Sequence, residues 1–401
     1  MQRFTIGSTR AMAPEQAALE LAECVEKELG AETAPAGGML WSTAAAGTQG
    51  AAVGRLLAER WPAAELVGTS FEGVLVDGRL DRDRPAMVLL AWAAAEGAPT
   101  VFAFEAGECD VERMVHDLLE GVGRSELGPR DLLLLFPDAH GSAPVESLLC
   151  DFAPRLGRPC MVGAAAAGLE GEAALAWVGQ ESWPGALVGL IVPASDASEP
   201  APAVPRVFGA GATRLASDWL RVTRSRGHWL DRLEEESALV WARRQLGLAE
   251  DASVEPHLDR LLLRLCRGAR EDEAAPGDRV DFDERYVVGI DADRGALCLP
   301  TSVKPGDEVA FALPDAALAR EALAGAVEAL PRTPCLLHLK CRARDASLHG
   351  DAELEPALVA HLARDRRTAG TVSPFQIAPA PDGGARLRVH TSLLVALGDE
   401  Q

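Results

Sequence analysis

The chain has 401 residues, enough for two domains with cores of their own, and its 48% hydrophobic and 25% charged content is that of an ordinary globular protein. Its 60 acidic against 39 basic side chains give a formal charge of −21, which argues against nucleic acid and anionic membrane surfaces as partners. Apolar runs such as 86–95 fall well short of the roughly 20 residues a membrane-crossing helix needs. Met1-Gln2-Arg3 leads straight into a strand with no signal-peptide segment behind it, so a cytoplasmic location is expected. The eight cysteines include no Cys-x-x-Cys, and no histidine pair has zinc-site spacing. They read as reduced thiols of the core, and neither a metal nor a cofactor is expected.

Strands are expected over 3–8, 38–43 and 65–70, alternating with helices over 14–29, where Pro14 suits the first turn, and 49–61. Asp77-Gly78 is a hairpin signal leading to 86–95 and 100–106, expected to be adjacent antiparallel strands. A helix over 111–121 precedes 131–136, whose unbroken leucines mark a buried strand. A helix over 144–156 and a strand over 159–164 follow. Strands over 173–178 and 186–192 are expected to close the first half as a pair.

Residues 194–205 are polar, rich in Ala and Pro and without periodicity. They read as a linker between domains at 1–193 and 206–401, separable there by a protease. Beyond it a strand is expected over 220–225, a turn at Arg226-Gly227, and helices over 235–246 and 254–267. The acidic stretch 271–283 reads as a solvated loop. Strands 286–291 and 296–299 form a hairpin around Asp293-Arg294-Gly295, before a strand over 308–313 and a helix over 316–330.

The stretch 334–379 organises the second half. Cys335, Leu337, Leu339 and Cys341 alternate on one face of a strand, and Leu336, His338, Lys340 and Arg342 on the other. A helix over 353–364 with Leu354, Leu358 and Leu362 as its apolar stripe leads to a second strand over 370–376. Such a crossover implies two parallel strands, with the loop around Arg344 at their carboxyl edge, where ligands sit in open α/β sheets. A final pair is expected over 386–390 and 393–397. Hairpins recur in both halves, so the fold class is α/β, two domains with mixed β-sheets flanked by helices.

Several of these stretches resemble the FIST family (F-box and intracellular signal transduction proteins). Val67-Gly68-Thr69-Ser70-Phe71-Glu72-Gly73 resembles the Gly-Cys-Ser-Thr-x-Gly signature of its N-terminal domain, with Thr69 where cysteine is common. Leu135-Phe136-Pro137-Asp138 and Val162-Gly163-Ala164-Ala165 are similar to later motifs of that domain. Val222, Thr223, Ala238 and Leu239 fit the start of the C-terminal domain. Cys341-Arg342-Ala343-Arg344 resembles its Cys-x-x-Arg-type motif, and Gly370 with Phe375-Gln376-Ile377 its Gly-aromatic and Gly-Glu-Ile strand. Gln376 stands for the acidic residue, Phe375 for the glycine before it and Val372 for the aromatic.

The resemblance covers nearly the whole chain. It implies a stand-alone bacterial sensory module that binds a small ligand, an amino acid or another carboxylate, and acts on a signalling partner in trans. Kinase, methyl-accepting, cyclase and F-box segments are missing from the chain. The ligand-binding residues it implies are Arg344, Gln376, Cys341, Gly68, Thr69, Ser70 and Gly73. Arg344 would hold an anionic ligand in a two-pronged pair, left without an acidic neighbour by Gln376. Read without the resemblance, Arg344 is a surface arginine paired with Asp345 or Asp351. Gly68, Ser70 and Gly73 would form a small-residue turn, offering backbone N–H groups to an anion or merely turning the chain.

The alternative is an enzyme using Cys341 with Arg344, or the His140 loop. Asp138, His140 and Ser142 lie on one loop and cannot converge as a catalytic relay must, so Asp138 and Ser142 read as caps of the next helix. His338 and Cys341 fall on opposite strand faces and diverge. A base within hydrogen-bond reach of Cys341 would favour the enzyme.

Overall fold

The computed structural model describes residues 3–30, 33–94, 98–105, 107, 110–141, 145–194, 206–266 and 282–398. The chain divides into two compact units interleaved in sequence. The larger comprises Met1–Gly211, Arg320–Leu387 and Thr391–Gln401, and the smaller Ala212–Ala319 with Arg388–His390. Of the linker expected at 194–205, only Ala194 lies among the described residues.

The larger unit opens with β1 (Phe4–Thr9), α1 (Pro14–Leu29), β2 (Gly37–Thr43), α2 (Gln49–Arg60) and β3 (Glu65–Phe71). Then come β4 (Gly73–Val76), β5 (Arg79–Asp81), β6 (Met87–Trp92), β7 (Thr100–Phe104), α3 (Val111–Gly121) and β8 (Leu132–Phe136). Helix α4 (Val145–Leu156), β9 (Cys160–Ala164), β10 (Leu175–Val178), β11 (Glu181–Pro184), β12 (Leu187–Val192) and β13 (Val207–Ala210) follow.

The smaller unit carries β14 (Thr213–Leu215), β15 (Leu220–Arg226), β16 (Trp229–Leu233), β17 (Glu236–Ser237) and α5 (Ala238–Leu246). It continues with β18 (Leu262–Cys266), β19 (Asp283–Tyr286), β20 (Gly289–Asp291), β21 (Ala296–Cys298) and β22 (Glu308–Pro314). After α6 (Ala316–Ala329), the chain adds β23 (Cys335–Cys341), the short α7 (Ala346–His349), α8 (Leu354–Ala363) and β24 (Arg367–Ser373). It ends with β25 (Gln376–Pro379), β26 (Ala385–Arg388) and β27 (Ser392–Leu397).

Three six-stranded sheets build the larger unit, ordered β1-β6-β2-β3-β10-β11, β26-β25-β9-β8-β12-β7 and β13-β27-β23-β24-β4-β5. Each has one parallel pair, β2/β3, β8/β9 or β23/β24, among antiparallel neighbours. Each parallel pair is joined by helix, as parallel strands require. The fold is therefore α/β with mixed sheets. The main core lies between the sheets and holds Met39, Trp41, Phe71, Phe136, Leu337 and Val395. Helices cover the outer faces: α1 and α2 supply Leu21, Val25 and Leu57, α3 and α4 supply Leu118 and Phe152, and α6 and α8 supply Leu323 and Val359. Buried on both faces, β8 can be an unbroken run of leucines.

Strands from the last quarter of the chain complete sheets begun in its first half. β24 pairs with β4, and β25 with β9. This explains why the compact units are not the two sequence halves on either side of 194–205. The same blindness to partners affects the expected strand pairs. β6 joins β1 and β2 while β7 joins β12, so 86–95 and 100–106 lie in different sheets. β10 pairs with β11 and β3, whereas β12 pairs with β7 and β8, so 173–178 and 186–192 do not pair either. At the end of the chain β26 and β27 are separated in the same way. A two-residue period identifies a strand but not its neighbour.

The helix expected over 254–267 is a 3₁₀ turn, Glu255–Arg260, followed by β18. Leu261, Leu263 and Leu265 all enter the core of the smaller unit, the strand period rather than the helical one. The strand expected over 370–376 ends at Ser373, and beyond Pro374 the chain starts β25 in another sheet, with Gln376 as its first residue. Of the acidic stretch 271–283, residues 271–281 lie outside the described residues. Seven free thiols are described; Cys335 and Cys341 are buried, but Cys24 and Cys150 are exposed, against the expectation of core cysteines.

Candidate functional site

The stretch after Pro334 folds as its alternation demands, and its two faces carry very different polar groups. Cys335, Leu337, Leu339 and Cys341 face the core between the sheets, while Leu336 packs under α6 and α8. His338 and Lys340 therefore share the face covered by helix. At the carboxyl end of β23, a single 3₁₀ turn carries Arg344 back over that helical face.

Arg344 is not a surface residue, and its partners are neither Asp345 nor Asp351. It is wholly buried, with Nε 2.9 Å from Oε2 and 3.2 Å from Oε1 of Glu355, and its Nη1 donates to the carbonyl of Ala210 at 2.9 Å. The carboxylate expected from a ligand is supplied by the chain itself. Glu355 is the hub of this face. His338 presents Nε2 to Oε1 at 3.2 Å, His349 presents Nε2 to Oε2 at 3.0 Å, and Ser392 donates its hydroxyl to Oε1. Burial works to raise the Glu355 carboxyl. The hydrogen bonds from His338 and His349 and the Arg344 charge outweigh it and hold the group well below the usual carboxylate range. Burial likewise lowers His338, keeping it neutral. Beside the hub, Lys340 donates to Asp345 at 3.2 Å and to the Ala352 carbonyl at 3.0 Å, and Arg82 closes on the other oxygen of Asp345.

Glu355 also corrects the face of α8. Its buried positions are Glu355, Pro356, Val359 and Ala363, whereas Leu362 is exposed and Leu354 and Leu358 are only half-buried. The bonds to Glu355 turn the helix away from its leucine stripe. Ser392, His338 and Glu355 resemble a hydrolytic trio by composition. Both Ser392 and Glu355 meet the same ring nitrogen of His338, however, so no proton relay runs through the imidazole.

The other face holds Cys341 and Gln376. Cys341 lies opposite Ser373 in the parallel ladder and its thiol donates to the Pro374 carbonyl at 3.6 Å. Gln376 is fully buried; its Nε2 donates to Ser373 Oγ at 2.9 Å, while its Oε1 has no partner. Gln376 pairs with Ala164 of β9, and Phe136 lies one row beyond the Leu135–Gly163 pair of β8 and β9. Phe136, Ala164 and Gln376 thus share one row. Facing it across the core are Trp41 and Thr69, opposite each other in β2 and β3, with Ala176 beyond. Trp41 and Phe71 both contact the Phe136 ring edge-on, at 5.8 and 5.6 Å between centroids. Trp41 Nε1, Thr69 Oγ1 and Thr371 Oγ1, like Gln376 Oε1, are buried without a partner.

The remaining expected residues divide by strand face. Gly68, Thr69 and Ser70 lie inside β3, not in a turn, so their backbone N–H groups belong to a sheet flanked by β2 and β10. A Cβ on Gly68 would stand 2.3 Å from the indole of Trp177 and from the Leu40 carbonyl, so this glycine makes room for a tryptophan. Ser70 donates to the Ala167 carbonyl at 2.9 Å and accepts the Leu175 N–H at 3.1 Å. Gly73 opens β4, where the chain crosses from the first sheet to the third.

Asp138 is a residue whose place the sequence did not disclose. It bridges to Ala166, and its Oδ1 accepts the N–H groups of His140 and Ala174, both at 3.2 Å, while Oδ2 is buried without a partner among the described residues. The expected cap role of Ser142 lies outside the described residues. The His140 side chain is exposed, and its recorded bond to Asp138 is through the backbone. Among the described residues, no set of three or more His, Cys, Asp or Glu side chains is arranged to hold a metal, and no helix is long and apolar enough to cross a membrane.

These features define a mixed-sheet α/β protein with polar groups buried at the carboxyl ends of its parallel strands. Residues 39–234 match the family model of the FIST N domain, so this stretch of the chain carries a FIST N domain. FIST domains are sensory domains of signal transduction. No curated protein matches the chain.

Proposed function

We propose that this protein is a cytoplasmic sensory module that binds a small ligand inside its larger unit and passes the bound state to a signalling partner in trans. The observation that carries this reading is the group of buried polar atoms without partners on Trp41, Thr69, Thr371 and Gln376, the first two within the stretch that matches the FIST N domain. Buried polar groups are ordinarily paired, and clustered exceptions mark a place where a bound molecule completes the bonding. Of the residues the resemblance implied, Gln376, Cys341 and Thr69 belong to this site. Gly68 and Ser70 support it by packing and bonding β3, and Gly73 by turning the chain. Arg344 braces it from behind through Glu355.

The test is a thermal-shift screen of the full chain against amino acids, organic acids, amines, sugars and nucleosides. A specific ligand raises the unfolding midpoint by mass action, about 2.7 kcal/mol at a concentration 100 times Kd. At least one class should stabilise the protein in a dose-dependent way. A flat response across all classes would overturn the reading.

A further inference from the structure

We propose that the site between the sheets recognises a protonated primary amine, with Asp138 Oδ2 and Gln376 Oε1 as its acceptors; this rests on the reading of the protein as a small-ligand sensor. Among the described residues neither acceptor has a donor, and their residues are 5% and 0% exposed. They flank the same strand. Asp138 bridges to Ala166 from the β8 side, and Gln376 pairs with Ala164 from the β25 side. Ala164, Ala166, Ala174 and Ala176 all belong to the core there, so methyl groups stand beside the two acceptors, with the Phe136 ring in the row of Ala164 and Gln376.

The chemistry of the set selects a donor. The Gln376 amide is oriented by its own bond, because Nε2 is spent on Ser373 Oγ and the carbonyl oxygen is what remains. Asp138 offers a second oxygen after Oδ1 has taken two backbone N–H groups. The hydroxyls of Thr69 and Thr371 can accept or donate, and only the Trp41 indole is obliged to donate. An ammonium carries three donors and no acceptor, which matches two unpaired oxygens and adaptable hydroxyls. A carboxylate would instead meet Asp138 and the Gln376 oxygen with like polarity. The cations that could have received it are engaged on the opposite face, Arg344 by Glu355 and Lys340 by Asp345. The charge of −21 also raises the local concentration of cations around the chain.

The experiment compares propylamine, propanol and propionate as probes, by thermal shift and calorimetry on the full chain and on Asp138→Asn and Gln376→Glu. Propylamine should stabilise the wild-type chain, propanol less, and propionate not at all. Asp138→Asn keeps the shape but removes the charge, and should weaken propylamine about tenfold or more, the loss expected for a charge-assisted bond. Gln376→Glu adds a second carboxylate and should tighten propylamine; it decides the matter if Asp138→Asn fails to fold. Propionate binding as well as propylamine, or both variants binding propylamine like wild type, would overturn the proposal. Stabilisation by anionic or sugar ligands in the broad screen with no response to propylamine would overturn it while leaving the sensory reading intact.

Discussion

The two faces of the β23–β24 pair make an instructive contrast. Under α8, Glu355 accepts from Arg344, His338, His349 and Ser392, and Lys340 is held by Asp345 and a carbonyl. On the side of the core, Gln376 and Thr371 hold out atoms that nothing in the described chain meets. On these two faces the charged residues are held by partners, while an amide and a hydroxyl are left with bonding capacity to spare. A buried charge without a partner is too costly to keep, whereas an amide or hydroxyl can wait for a ligand at a cost of about 1–3 kcal/mol.

The contrast can be broken in several ways. The largest effect should come from expressing 1–193 and 206–401 separately. Each fragment would present strands deprived of their partners, β4 without β24 and β9 without β25. Neither should give a soluble, cooperatively folded product alone, as sedimentation and thermal melts would show. Two well-behaved fragments would mean that the shared sheets are dispensable.

Next is Glu355→Gln, which leaves the Arg344 guanidinium buried without its counter-charge. The expected loss is about 3–5 kcal/mol in urea denaturation, as for other broken buried pairs. A loss below about 1 kcal/mol would deny Glu355 its role as hub.

Acid should act on the same face. Glu355 has a depressed pKa, so its contribution is present above its unfolded value of 4.5 and is lost as pH falls toward the folded one. His338 is also depressed; the unfolded state takes up its proton first, and stability begins to fall as pH drops below about 6.5. Urea midpoints should therefore decline from about pH 7 to about pH 4, and His338→Gln should flatten the upper part of that decline. A midpoint independent of pH in this window would contradict the assignment.

Gln376→Leu loses the Nε2 bond to Ser373 Oγ but replaces an oxygen that has none, so the ligand-free protein should lose only about 0.5–1.5 kcal/mol of stability. A large loss would show that Gln376 is structural after all. Smallest of all is Arg342→Ala, since its pair with Glu72 at 2.8 Å is half in water and is worth about 0–1 kcal/mol.

Much of the architecture could be read from the residues. The alternation of Cys335 to Arg342 gives both faces of β23 correctly, and the crossover gives its parallel partner. Proline at the start of α1, and Asp77-Gly78 with φ of 43° and 84° between β4 and β5, stand where the local chemistry puts them. What stayed hidden depends on contacts between distant segments. Arg344 could be seen to need a carboxylate, yet Glu355 is one of many acidic residues, and Ser392 and Ala210 lie far away in sequence. A signal was there: Glu355 shares a helical stripe with Pro356, Val359 and Ala363, an acid on a face of small apolar residues. The leucine stripe beside it is more hydrophobic and hides it. The site suffered in the same way, since Asp138 reads as an ordinary cap until Ala166 and Ala174 are placed around it.

The interleaving of the larger unit bears on how the protein is made. Asp77 and Arg367 are paired across 290 positions of chain. At a synthesis rate of about 5–20 residues per second, the partner of β4 leaves the ribosome about 15–60 s after β4 itself. Through that interval the nascent N-terminal sheets carry unpaired edges, the feature most prone to wrong pairing. The smaller unit is continuous apart from three residues and emerges during the wait. The time taken to translate that unit, rather than any property of the finished fold, sets how long those edges wait for their partners.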